Sequence, residues 1–200
     1  MVQRLLRLSC IRLTFLSIEK LYNERNWDAL LDVRVTHAKD LKVSGADFIE
    51  ICRNTMNVLA EKIEKIVEIP VVHMVKEAAL TVKRQGINKV LLLGTKYTKS
   101  DDYFTRILTS FGFEVTIPNE QDIDKINDVI YGELRAQVLS DESRRHIVDI
   151  INSHIENGVC GVVLGCKKLP NLIKKGDVSV PVFDTIDVHC QATAEKIIHE

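Results

Sequence analysis

Five cysteines, at positions 10, 52, 160, 166 and 190, are the residues of this 200-residue chain best suited to proton-transfer chemistry. A thiol titrates at about 8.5 when unperturbed, close enough to neutrality to give or take a proton at little cost. Two of the five stand in repeated surroundings. Gly45-Ala46-Asp47-Phe48-Ile49-Glu50-Ile51-Cys52-Arg53-Asn54-Thr55 leads on to Ile69-Pro70-Val71-Val72. Gly161-Val162-Val163-Leu164-Gly165-Cys166-Lys167-Lys168-Leu169-Pro170 leads on to Val180-Pro181-Val182-Phe183. Each copy reads as a short apolar strand ending in a thiol and polar residues, then a helical stretch, then a second strand opened by an apolar-Pro pair. Ligands of parallel α/β sheets bind just beyond the C-terminal ends of the strands. The repeat therefore points to chemistry at a cleft between two similar domains.

The elements that must position these thiols follow the same logic. Ala46–Cys52, Ile69–Met74, Lys89–Gly94, Phe113–Ile117, Gly161–Cys166 and Val180–Phe183 are nearly continuous apolar runs, as strands buried on both faces require. Helical patterns lie between them. Glu19–Lys42 is a long amphipathic region in which Asn26 is placed to cap a second helix. Asn54–Val67 puts Val58, Leu59, Ile63 and Ile66 on one face. Ser140 precedes Asp141–Asn157, with acids in the first turn and Gly158 at the stop. Alternating strands and helices predict an α/β fold: two similar domains with parallel sheets flanked by helices. The expected division is 1–74 plus 180–200 for the first domain and 75–179 for the second.

Composition excludes several classes. A net charge of −1 leaves no electrostatic footprint for nucleic acid, and no apolar run is long enough to span a membrane. The cysteine count is odd and no pair is spaced C-x-x-C, which argues against a disulfide framework or zinc site and for a reducing, cytoplasmic setting. No metal site is expected. Met1 to Ser17 carries Arg4, Arg7 and Arg12 and no acid, the composition of a transit peptide. So short a segment acquires that composition easily by chance, and the favoured reading is a divergent or truncated first strand and loop. Leu93-Gly94-Thr95-Lys96-Tyr97-Thr98 follows a strand, so its amides can hold an anion or simply make a βα turn.

Gly45–Asn57, Leu91–Thr98, Ile130–Leu134, Gly161–Pro170 and Val180-Pro181-Val182-Phe183-Asp184-Thr185 with His189 together resemble the aspartate/glutamate racemase family, most closely its broad-specificity amino-acid branch. The resemblance runs from about Ile18 to the C-terminus. It implies an active site between two α/β domains and racemisation with no cofactor, pyridoxal phosphate included. In that chemistry one thiolate removes the α-proton while a thiol delivers a proton to the opposite face. It also implies a small amino-acid or dicarboxylate substrate and a homodimer.

Registered on the family pattern, Cys166 takes the second acid/base position. The first, immediately before the Asn-Thr pair, is Arg53, whose guanidinium stays protonated and cannot act as a base. Cys52, one residue earlier, is expected to face away and pack as a buried wall residue. Asn54, Thr55 and Thr95 match carboxylate-holding positions, His189 a histidine near the second thiol, and Arg135 falls near a substrate-binding lysine. Lys167 and Lys168 replace the usual Thr-Glu, and either can lower the Cys166 pKa, pair with a carboxylate or stand as a solvated surface charge. Asn57 replaces a family histidine. The Gly-rich strand-loop-helix with which relatives begin has no match here, an absence expected to expose a sheet edge. These residues imply a racemase with impaired two-base catalysis. The alternatives are a one-thiol decarboxylase or cis-trans isomerase of dicarboxylates, or an inactive carboxylate-binding protein.

Overall fold

The computed structural model describes residues 9–11, 18, 20–22, 24–96, 98 and 102–199. The expectation about Arg4, Arg7 and Arg12 lies outside them. The chain divides into two compact units, 1–73 with 193–200, and 74–192.

The first unit is built on a parallel pair, β1 (Ile49–Glu50) and β2 (Val71–Val72), in register Ile49↔Val71 and Glu50↔Val72. Helix α1 (Trp27–Val43) precedes them, and Asn26 caps it as its sequence position predicts, Oδ1 accepting from the Ala29 amide at 3.1 Å. A 3-10 helix, Asn54–Leu59, runs into α2 (Ala60–Val67). Its tighter winding advances the phase of the chain, so the buried stripe is Met56, Leu59, Ala60, Ile63 and Val67. Ile66, expected inward, is 47% exposed. Helix α2 ends at Glu68 in the left-handed conformation (φ 58°). There Lys42 Nζ reaches from α1 to the Val67 carbonyl at 2.6 Å and to the Glu68 carboxylate at 3.7 Å. Ile18, Tyr22, Leu30, Ala38, Met56 and Ile63 belong to the core this packing closes.

The second unit holds a four-stranded parallel sheet in the order β4-β3-β5-β6: β3 (Lys89–Leu93), β4 (Glu114–Thr116), β5 (Gly161–Leu164) and β6 (Val182–Asp184). Its helices are α3 (Met74–Arg84), α4 (Tyr103–Ser110), α5 (Glu120–Asp128), α6 (Asp141–Glu156) and the single turn α7 (Leu169–Leu172); α8 (Thr185–His199) begins in this unit, and its residues from 193 onward belong to the first. A π-helical turn, Val129–Glu133, and a 3-10 turn, Leu134–Ala136, join α5 to the loop before α6. Ser140 caps α6 by accepting from the Ser143 amide at 3.2 Å, and Gly158 (φ 87°) turns the chain after it. All four residues of β5 are buried, and so are Val90–Leu93 of β3. That is why both runs are apolar without alternation.

Two expectations are corrected. Met74 does not extend a strand but opens α3. Residues 180–192 belong with the second unit and not the first, because β6 pairs along β5 from Val162↔Val182 to Leu164↔Asp184. No helix among the described residues is long and apolar enough to cross a membrane.

Candidate functional site

Parallel pairing brings three strand ends together in the second unit. Leu93 of β3 is level with Leu164 of β5, and Leu164 with Asp184 of β6. The segments that follow, Gly94-Thr95, Gly165-Cys166 and Thr185, thus emerge at one edge of the sheet, where parallel α/β proteins bind ligands. Three contacts hold this edge. The Gly165 amide donates to Leu93 O at 2.7 Å, and a side chain at Gly165 would put its Cβ 3.2 Å from that carbonyl. Thr185 Oγ1, fully buried, donates to Leu164 O at 2.8 Å. Asp184 Oδ1 accepts from the Ile186 amide at 2.9 Å, which starts α8.

Cys166 therefore follows a strand end pinned from both neighbours. Its thiol is half-buried, and backbone amides of Lys168 and Leu169 donate toward the sulfur. Burial pushes the thiol pKa up. The two amides and the charges of Lys168 and Lys167 pull the other way without overcoming it. Both lysines thus lower it, as their positions in the sequence allow, and burial outweighs them. Lys168 is occupied structurally, its Nζ donating to Leu134 O at 3.2 Å, while Lys167 is exposed. Alkylation of Cys166 should accordingly be slow at neutral pH and accelerate only above the usual thiol range. Iodoacetamide labelling against pH, in a variant whose four exposed cysteines are serine, measures this; a rate already at plateau by pH 8 would contradict it.

Thr95 is half-buried beside Cys166's strand. Its amide donates to Thr98 Oγ1 at 3.2 Å, so that N–H serves the βα turn, while its hydroxyl stands 3.5 Å from the same oxygen. His189 is buried one helical turn after Thr185 on α8 and shares the face that Thr185 turns to β5. Arg135 lies exposed on the 3-10 turn Leu134–Ala136.

The first unit carries the other candidates where the chain leaves β1. Arg53 is extended (φ −124°, ψ 117°) and half-buried, and its guanidinium carbon lies 5.7 Å from the Tyr22 ring centroid. Asn54 and Thr55 open the 3-10 helix; the Thr55 hydroxyl is buried with no hydrogen-bond partner among the described residues. Asn57 is fully buried, and its Nδ2 donates to both Ile51 O (2.8 Å) and Arg53 O (3.0 Å). The reading of Cys52 as a buried wall residue is corrected: it is exposed, because strand pairing stops at Glu50 and residue 52 no longer packs in the sheet.

Thr95, Cys166 and Lys167 thus gather at one strand-end edge, with Thr185 and His189 behind it. Arg53, Asn54 and Thr55 gather at another, and Arg135 joins neither set. Sequence reasoning missed Thr185 and Asn57 as the residues that fix these two strand ends. It also missed Arg34, which sits at an inward position on α1 with its Nε buried.

Comparison with known proteins gives a consistent result. The model of the Asp/Glu/hydantoin racemase family matches residues 15–193. A solved structure from Yersinia pestis, assigned as an Asp/Glu racemase, superposes with a TM-score of 0.89 at 34% identity over 93% of this chain and 81% of that one. An aspartate racemase homologue from Pyrococcus horikoshii gives 0.82 at 34% identity, covering 88% and 77%. The aspartate racemase of Picrophilus torridus gives 0.64 at 23% identity, covering 83% and 68%, a likeness of fold.

Proposed function

Because the chain belongs to the Asp/Glu/hydantoin racemase family, we propose that it moves a proton at the α-carbon of an acidic amino acid, using the Cys166 thiol and no pyridoxal phosphate. The observation that carries this reading is the half-buried Cys166 sulfur facing the amides of Lys168 and Leu169 at the edge where three parallel strands end. In the thiolate form, Cys166 takes the α-proton; the electron pair passes into the substrate carboxylate, and the same S–H returns a proton to carbon. The two amides stabilise the thiolate when it forms. Beside Cys166 in the second unit the carboxylate-holding role falls to Thr95; Arg53, Asn54 and Thr55 occupy the other carboxylate-holding positions, at the strand end of the first unit. Arg53 stands at the first acid/base position and supplies fixed charge in place of a proton acceptor.

Such a chain exchanges the α-hydrogen of aspartate or glutamate with solvent but inverts it poorly. In deuterated water, NMR should show exchange from one enantiomer well ahead of the other, abolished by Cys166→Ser. Equal exchange from both enantiomers would refute the one-sided mechanism, and exchange that survives Cys166→Ser would refute the thiol's role. The Arg53 guanidinium also favours a second reading, in which one thiol suffices because only one face is ever protonated. Carbon dioxide release from substituted malonates, or fumarate formation from maleate, separates it from racemisation.

A further inference from the structure

Lys168 is half-buried, and its ammonium is spent on a main-chain oxygen. Nζ donates to Leu134 O at 3.2 Å, across 34 positions of the chain. Both ends of this bond are anchored inside the second unit. Leu134 is a buried core residue that opens the 3-10 turn Leu134–Ala136. Glu133, just before it, accepts from Ser143 Oγ at 2.7 Å through Oε1 and from the Val138 amide at 3.0 Å through its carbonyl, so this turn is braced against α6. At the other end Leu169 is fully buried, its amide donates to Cys166 O at 3.1 Å, and the Lys168 carbonyl accepts from the Asn171 amide at 3.1 Å.

The turn that these bonds close carries the thiol. Cys166 precedes the amides of Lys168 and Leu169 by two and three residues, the spacing at which a capping side chain meets the second and third amides of a helix. The sulfur takes that place. Helix α7, which follows, is a single turn, and so short a helix has little stability of its own. The direction of the two amides therefore depends on what fastens the turn to the rest of the unit. We propose that Lys168 is a positioning residue for Cys166: its side chain ties residues 166–169 to Leu134 and so holds two main-chain amides against the sulfur. Lys167 beside it is exposed and brings charge alone. The consequence for proton transfer rests on the reading of Cys166 as the acid/base group; the tether itself does not.

Lys168→Met, made in the full chain whose four exposed cysteines are serine, tests the tether by two readouts. Iodoacetamide labelling is followed between about pH 7 and 9.5, where the native ammonium stays charged, and at about pH 8 it should slow by roughly 3- to 10-fold, up to one unit in the titration of the thiol. Exchange of the Leu169 amide with deuterated water, followed by NMR, should quicken about 10-fold as the turn loses a hydrogen bond from a charged donor. Lys168→Arg keeps both charge and donor and should return the two readouts to within about twofold of native. Lys168→Gln, shorter and uncharged, gives the same readouts if the Met variant does not fold. Labelling unchanged by the loss of Lys168 overturns the proposal. Slower labelling with the Leu169 amide unmoved also overturns it, since only the charge of the lysine would then matter, and so does failure of Lys168→Arg to restore both. Exchange of the substrate α-hydrogen is scored separately: its absence from the native chain removes the racemase reading and leaves the tether standing.

Discussion

Arg53→Cys should raise the racemisation of aspartate or glutamate by roughly 100- to 10,000-fold over the native chain, the usual contribution of a positioned acid/base group. Polarimetry, or chiral chromatography of the product, measures it. The native residue has the wrong chemistry for the position, since a guanidinium neither accepts a proton nor donates one readily. The backbone around it is sound: extended at residue 53, followed at once by the 3-10 helix, with the Arg53 carbonyl held by Asn57. A thiol at this position inherits a fixed strand end and removes the one cation whose charge bears on Arg34. Arg53→Ala is the control, because it removes the charge without adding a base and should give no gain. Equal rates for the Cys and Ala variants would show that position 53 takes no part in proton transfer, whatever the chain's ancestry.

Asn57→Ala should cost about 2–4 kcal/mol. It removes two hydrogen bonds from a fully buried side chain and strands the Ile51 and Arg53 carbonyls, with a small cavity added. One Nδ2 carries two hydrogens and serves both carbonyls at once, which no single imidazole nitrogen can do. Asn57→His, which restores the family residue, is therefore expected to destabilise as well. The chain has one tryptophan, Trp27, packed on Tyr22 in this same unit. Urea unfolding followed by its fluorescence reads the loss where it occurs. A change below 0.5 kcal/mol, within the range of ordinary surface substitutions, would mean that the two carbonyls find other donors.

What was legible in the sequence was whatever local chemistry dictates. The β3 and β5 runs could be read because strands covered on both faces must be apolar throughout. The caps at Asn26 and Ser140 could be read because a side-chain oxygen satisfying an amide three residues ahead leaves a local signature. What failed depends on partners distant in the chain. The strand-helix-strand repeat already tied Val180–Phe183 to Gly161–Cys166, and the domain division placed at 180 ran against it; β6 pairs with β5. Arg34 reads as an ordinary solvated helix arginine, yet its Nε is buried. The lysines beside Cys166 are visible in the sequence and do pull its pKa down, but the burial that outweighs them is not visible there. Cys52 was misjudged because the strand run outlasts its pairing by two residues, ending at Glu50. Linkage follows from the Cys166 shift: a folded pKa above the unfolded one gives stability that is full below the unfolded value. That stability is lost as pH rises through the folded one.

Four of the five sulfurs, those of Cys10, Cys52, Cys160 and Cys190, lie on the surface. In air they can join separate molecules covalently, while the half-buried Cys166 is shielded. A size measured without reductant would then count disulfide-linked aggregates along with any true assembly. The number of subunits in solution is therefore a quantity to be read with the thiols kept reduced.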